Sequence, residues 1–219
     1  MAWPALDLRL YLVVGPTDCR GRPLPEVVAA AVEGGVTLVQ LRDKLSPTRE
    51  VMASAERLLE LLRPRGVPLL LNDRADVALA VGADGVHVGQ DDLPAEAARH
   101  LLGSGAIVGL TADRPDEVDA AQEAPVDYLG SGPIYPTSTK DGVADAWGVD
   151  GFRDLRRRSR HPVVAIGGVT AETAAAAVRA GADGVAVVSA ICAADDPERA
   201  ARRLREAVDA GFAARKRSG

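Results

Sequence analysis

Eight short apolar runs recur along the chain: LRLYLVVG, TLVQLRD, VPLLLND, GVHVGQ, AIVGLT, DYLGSGPI, PVVAIGG and GVAVVSA. Each is too short for an independent helix and rich in Val, Ile and Leu, so each reads as a strand buried on both faces, as in a parallel sheet. Between them lie helix-like segments such as PTREVMASAERLLELL, PAEAARHLL and AETAAAAVRA. Strand and helix therefore alternate from end to end, the arrangement of α/β folds. Eight such units in 219 residues match the length of a single-domain (β/α)8 TIM barrel, with a doubly wound open sheet as the competing arrangement. The stretch VGADGVHVG at 81–89 returns as AGADGVAVV at 180–188, four units later, and this half-barrel repetition favours the barrel. Residues 1–219 are expected to form that one domain, with a basic C-terminal tail loosely ordered from about residue 213.

Acidic residues outnumber basic ones, 31 to 26, for a formal net charge of −5. Nucleic acid or an anionic membrane surface would want a basic face, so the expected partner is a small molecule. Cys19 and Cys192 are far apart in the chain and in no metal-ligand spacing, which leaves a disulfide framework or a zinc site without support. Asp7 and Arg9 stand too close to the first apolar run for a signal peptide, and a cytoplasmic location is expected.

In a barrel of this kind, chemistry sits at the C-terminal ends of the strands. The second strand ends QLRDK; side chains alternate along a strand, so Gln40, Arg42 and Lys44 leave on one side, two cations and an amide beside an apolar core. An anionic ligand would balance them, and the competing reading is a rim salt bridge with Asp43 or Asp73. The third and fourth strands end LLLNDR and VHVGQDD, which gathers Asn72, Asp73, Gln90, Asp91 and Asp92 next to that cationic group. Those carboxylates could cap helices, as Asp92 could before LPAEAARH, or hold Mg²⁺ together with phosphate oxygens of a ligand. His87 in the same run reads as a packed strand histidine. The last two strands end AIGGVTAET and VVSAI, where glycine and the start of a helix favour a phosphate, although Gly167 and Gly168 could equally serve a tight turn. With Ser189 opposite, a second anion site is favoured, so one mouth would hold two phosphorylated ligands or two ends of one.

The motifs QLRDK, LLLND, VHVGQDDLP, GPIYPTSTK, AIGGV and GADGVAVVSAI, in this order and spacing, resemble the thiamine-phosphate synthase family over residues 10 to about 195. The resemblance implies an enzyme that joins a hydroxymethylpyrimidine diphosphate to a thiazole phosphate, giving thiamine phosphate and pyrophosphate. It implies that Gln40, Leu41, Arg42, Asp43, Lys44, Asn72, Thr111 and Lys140 bind the pyrimidine diphosphate, with Lys140, Arg42 and Lys44 acting on the leaving group. It further implies that Asp73 and Asp92 ligate Mg²⁺, and that Thr137, Ser138, Thr139, Gly168, Val188 and Ser189 bind the thiazole phosphate. Pro133 and Pro136 would stiffen the loop that carries the hydroxyls and Lys140.

Two stretches depart from the family's pattern. The family commonly has a Gly-x-Ser stretch followed shortly by His, whereas this chain has VGLTADRPDE, with Thr111 at the serine position and Asp113 near the expected histidine. DGVADAWGVDGF after Lys140 lacks the commoner proline and is expected to belong to a mobile lid with Gly142 as a hinge, Trp147 being either a packing or a ligand residue. Two alternatives carry weight: a thiazole tautomerase, which would not need Asp73, Asp92 and Lys140 together, and a non-catalytic sensor of phosphorylated ligands.

Overall fold

A computed structural model describes residues 6–137 and 146–218. Its eight strands are β1 (Leu10–Val14), β2 (Leu38–Leu41), β3 (Leu69–Asn72), β4 (Gly85–Val88), β5 (Ile107–Thr111), β6 (Tyr128–Ser131), β7 (Val163–Ile166) and β8 (Gly184–Val187). Every neighbouring pair is parallel, and β8 returns to β1, with Leu10 opposite Val185 and Leu12 opposite Val187, so the sheet is a closed barrel. The open-sheet alternative is thereby removed.

The helices are α1 (Leu24–Glu33), α2 (Thr48–Leu62), α3 (Ala75–Val81), α4 (Ala95–Leu102), α5 (Pro115–Ala120), α6 (Gly148–Arg158), α7 (Ala171–Arg179), α8 (Ser189–Cys192) and α9 (Pro197–Ser218). They close over the outward strand positions, where Leu12, Val39, Leu71, Val86 and Val108 join the larger hydrophobic core. The inward positions form a second, smaller core with Tyr11, Leu38, Leu70, Ile107, Tyr128, Val164 and Ala186. Period-two alternation thus divides each strand between the two cores. The basic end from about residue 213, expected to be loosely ordered, instead completes α9. There Arg215 donates to the carbonyls of Val178 and Ala182 at 3.4 and 3.0 Å, and its guanidinium lies 4.9 Å from the Phe212 ring centre.

The two GADG repeats lead into β4 and β8. Gly85 and Gly184 admit no side chain, because a Cβ would lie 1.9 Å from the Ile107 carbonyl oxygen and 1.7 Å from that of Leu8. The aspartates beside them have a matching task. Asp84 accepts the Leu69 amide at 2.8 Å, and Asp183 accepts that of Val163 at 2.9 Å. Asp127 before β6 does the same for Val108 at 2.8 Å, and the Thr37 hydroxyl before β2 does so for Leu10 at 3.2 Å. Each even-numbered strand is therefore preceded by a side chain that caps an amide at the start of the odd-numbered strand before it, on the barrel face opposite the site.

Asp84→Ala would leave the Leu69 amide unpaired at a fully buried residue. We expect a loss of about 1–3 kcal/mol in unfolding free energy, read as a lower denaturant midpoint at unchanged slope.

Candidate active site

The C-terminal ends of the strands surround a cavity of about 550 Å³. One half is built by the ends of β2, β3 and β4. Gln40, Arg42 and Lys44 project into it on the same side, as alternation requires, and Asn72, Asp73 and Asp92 join them. Lys44 Nζ lies 2.9 Å from Asp73 Oδ2. Asp73 adopts φ 62°, a left-handed conformation uncommon for a residue other than glycine, and its amide is held by the His87 carbonyl at 2.8 Å. Asp92 Oδ2 accepts the Gly89 amide at 2.8 Å, which fixes its loop.

Asp73 and Asp92 line this half of the cavity together, and their carboxyls act on each other. Burial pushes the Asp73 carboxyl above its ordinary value and the Asp92 neighbour adds to this, while Lys44 opposes both. Two carboxylates brought together at the edge of a cavity create a demand for positive charge that one lysine, itself half exposed, meets only in part. Among the described residues, no group of three or more His, Cys, Asp or Glu side chains could hold a metal ion. A pair of carboxylates completed by ligand oxygens is what a hard divalent cation such as Mg²⁺ accepts.

The other half comes from β6, β7 and β8. Gly132, Pro133, Pro136 and Thr137 line it from the segment after β6, with Gly167 and Gly168 after β7, and Val188 and Ser189 after β8. Gly167 and Gly168 have φ of 91° and 66°. A Cβ on Gly167 would come 2.6 Å from Pro133 Cβ, and one on Gly168 would come 2.6 Å from the Pro136 carbonyl oxygen. The glycines are therefore required by the close approach of the 133–136 segment as well as by their own turn.

Several expectations need correction. Leu41 points away from the cavity into the core between barrel and helices, being the outward residue between Gln40 and Arg42. Asp43 turns back on its own loop and accepts the amides of Leu45 and Ser46 at 3.1 and 3.0 Å. Burial works against its charge, but the bonds from Ser46 and Leu45 prevail and hold its carboxyl below the ordinary value. Trp147 packs against the larger core, and its amide donates to the Pro133 carbonyl at 2.9 Å. Ser138, Thr139, Lys140 and Gly142 lie outside the described residues.

The floor of the cavity holds a polar chain that sequence reasoning missed. Gln40 Nε2 donates to the Tyr11 hydroxyl, which bonds the Tyr128 hydroxyl at 2.9 Å. That hydroxyl meets His87 Nδ1 at 2.9 Å, and His87 Nε2 meets Thr111 Oγ1 at 2.9 Å. Gly109 makes room for it, since a Cβ there would lie 2.3 Å from Tyr128 Cζ and 2.5 Å from His87 Nδ1. Burial raises the pKa of both tyrosines, so the floor consists of neutral phenols. The available signal was parity: His87 is aligned with Asn72 and Gly109 in the sheet and shares their inward position.

The sequence from residue 10 to 191 matches the family model described as thiamine monophosphate synthase. A thiamine-phosphate synthase of Albidiferax ferrireducens is 52% identical over 203 residues, covering 93% of each chain. That of Natronomonas pharaonis is 52% identical over 205 residues, 93% of this chain and 96% of the relative. The solved thiamine phosphate pyrophosphorylase from Pyrococcus furiosus superposes with a TM-score of 0.85 at 36% identity, covering 94% of this chain and 98% of that one. A 3-hexulose-6-phosphate synthase, at 19% identity and a TM-score of 0.69, shares the fold alone. With the match running through the strand ends that build both halves of the cavity, the chain belongs to the thiamine monophosphate synthase family.

Proposed function

We propose that the β2–β4 half of the cavity holds the diphosphate of a hydroxymethylpyrimidine diphosphate, and that the β6–β8 half holds the phosphate of a thiazole phosphate. The observation that carries this reading is the apposition of the two halves across one cavity: Arg42, Lys44 and the Asp73–Asp92 pair on one side, Thr137, Gly168, Val188 and Ser189 on the other. The reaction class is condensation to thiamine phosphate with release of pyrophosphate. The C–O bond to the diphosphate breaks with its electron pair leaving on oxygen, and the thiazole nitrogen lone pair forms the new C–N bond to the pyrimidinylmethyl carbon.

No protein nucleophile is needed for this chemistry. Arg42 and Lys44 offset the charge of the departing diphosphate, and Lys140, assigned by its place in GPIYPTSTK, joins them. Mg²⁺, when bound by Asp73 and Asp92, supplies further neutralisation of the leaving group. Lys44 also holds the Asp73 carboxylate in place. Gln40 is oriented by its bond to Tyr11 and so presents a fixed amide to the ring end of the pyrimidine ligand. The opposed halves bring the second substrate into line with the carbon that loses the diphosphate. Retention of Asp73, Asp92 and Lys140 favours the synthase over a thiazole tautomerase or a sensor. We further propose that the whole chain is one domain acting in the cytoplasm; no helix among the described residues is long and apolar enough to cross a membrane.

The direct test mixes protein, hydroxymethylpyrimidine diphosphate, thiazole phosphate and Mg²⁺ and follows both products. Equimolar pyrophosphate and thiamine phosphate that vanish with EDTA are expected, and thiazole phosphate binding without product would refute the reading. Without metal, the Asp73 carboxyl should titrate above its ordinary value of 3.8. Carboxyl-resolved NMR should find it lower in Asp92→Asn, where a repelling charge is lost, and higher in Lys44→Met, where an attracting one is lost. Lys140→Ala should slow single-turnover bond breaking by roughly 100-fold or more while changing substrate affinity far less.

A further inference from the structure

Asp113 lines the cavity, yet it belongs to neither of the two anion-binding groups. Its Oδ1 accepts the Gly132 amide at 2.9 Å, across 19 residues of sequence. Its own amide donates to Glu117 Oε2 at 2.7 Å, and the Arg114 amide shares that oxygen at 3.1 Å. The Glu117 side chain is only 9% exposed and its other oxygen pairs with Arg114 at 2.9 Å, so the loop that presents Asp113 is braced from behind.

Gly132 begins the segment that leads to Thr137. On its β7 side this segment is well held: Ile134 donates to the Ile166 carbonyl at 3.0 Å and Tyr135 to that of Gly167 at 3.1 Å. A Cβ on Gly132 would come 2.2 Å from the Ile166 carbonyl oxygen, so its backbone is pressed against β7. On the β5 side the amides offer little. Pro133 has none, and that of Gly132 is directed at Asp113. The carboxylate is thus a side-chain tie from the β5 end, two residues beyond Thr111 of the cavity floor, to the segment carrying Thr137 of the thiazole half.

We infer that Asp113 is a positioning residue that sets the thiazole-phosphate half of the site against the pyrimidine half by anchoring Gly132, an inference that rests on the functional reading above. Its carboxylate acts through the Gly132 amide and takes no part in the bond changes. What it supplies is the separation and angle of the two substrates, to which a bimolecular condensation in one cavity is sensitive.

The test compares Asp113→Ala, which removes the acceptor, with Asp113→Asn, which keeps an amide oxygen at the same place. Asp113→Ala should raise KM for the thiazole phosphate roughly ten-fold and lower kcat, with KM for the pyrimidine diphosphate within about two-fold of the parent. Asp113→Asn should recover most of both losses. An unchanged Ala variant, an equal rise in both KM values, or an Asn variant as impaired as Ala would each overturn the inference. Amide hydrogen exchange at Gly132 provides a readout free of turnover: faster exchange in the Ala variant and protection in the Asn variant support the anchor, and parent-like exchange in the Ala variant overturns it. If the parent protein forms no thiamine phosphate, the functional reading fails, and the Gly132 exchange still decides the anchor.

Discussion

Closure of the barrel is the constraint on which the rest depends. Once β8 pairs with β1, no open edge is left among the strands, and every inward side chain faces the same axis. Parity then becomes a spatial fact as well as a local one. Gln40, Asn72, His87 and Thr111, widely separated in sequence, reach a common space because each occupies an inward position near the end of its strand. The helices and outward Leu and Val residues exclude water from the other side and hold that parity in place.

Within the cavity, electrostatics divides the labour. The Asp73–Asp92 pair, with the strained backbone of Asp73, is an arrangement that folding alone would not favour, because two carboxyls are brought together at partial burial. The floor is the reverse case: Tyr11, Tyr128 and His87 satisfy one another with hydrogen bonds, at little electrostatic cost. The charged side chains Arg42, Lys44, Asp73 and Asp92 therefore gather at the strand ends, above a floor whose phenols are neutral.

Much of this was legible from the residues themselves. Alternation sends Gln40, Arg42 and Lys44 into one space, and the same rule turns Leu41 and Asp43 away, a distinction that the QLRDK motif taken as a block does not make. His87 reads locally as a packing residue, although the parity that admits Asn72 and Thr111 also admits it. Its partners Tyr11 and Tyr128 lie on other strands, and nothing local marks them as a chain of hydroxyls. The need for glycine at 167 and 168 comes from their own left-handed turn and also from the approach of Pro133 and Pro136 at the end of the neighbouring strand, a contact that no local pattern reveals. The Asp113–Gly132 bond was hidden for the same reason.

The side chains that precede the even-numbered strands have a consequence for assembly. Each ties a strand to the approach of the next one, closing loops of 27, 15, 19 and 20 residues through Thr37, Asp84, Asp127 and Asp183, and Asp127 and Asp183 also hold Arg99 and Arg156. These are short closures with a small entropic cost, made within β1–α1–β2, β3–α3–β4, β5–α5–β6 and β7–α7–β8. The chain is thus punctuated into quarter-barrels that can acquire their own register before the long-range β1–β8 seam forms. Each of these bonds favours the register of its own strand pair, whereas the β1–β8 seam joins residues from opposite ends of the chain.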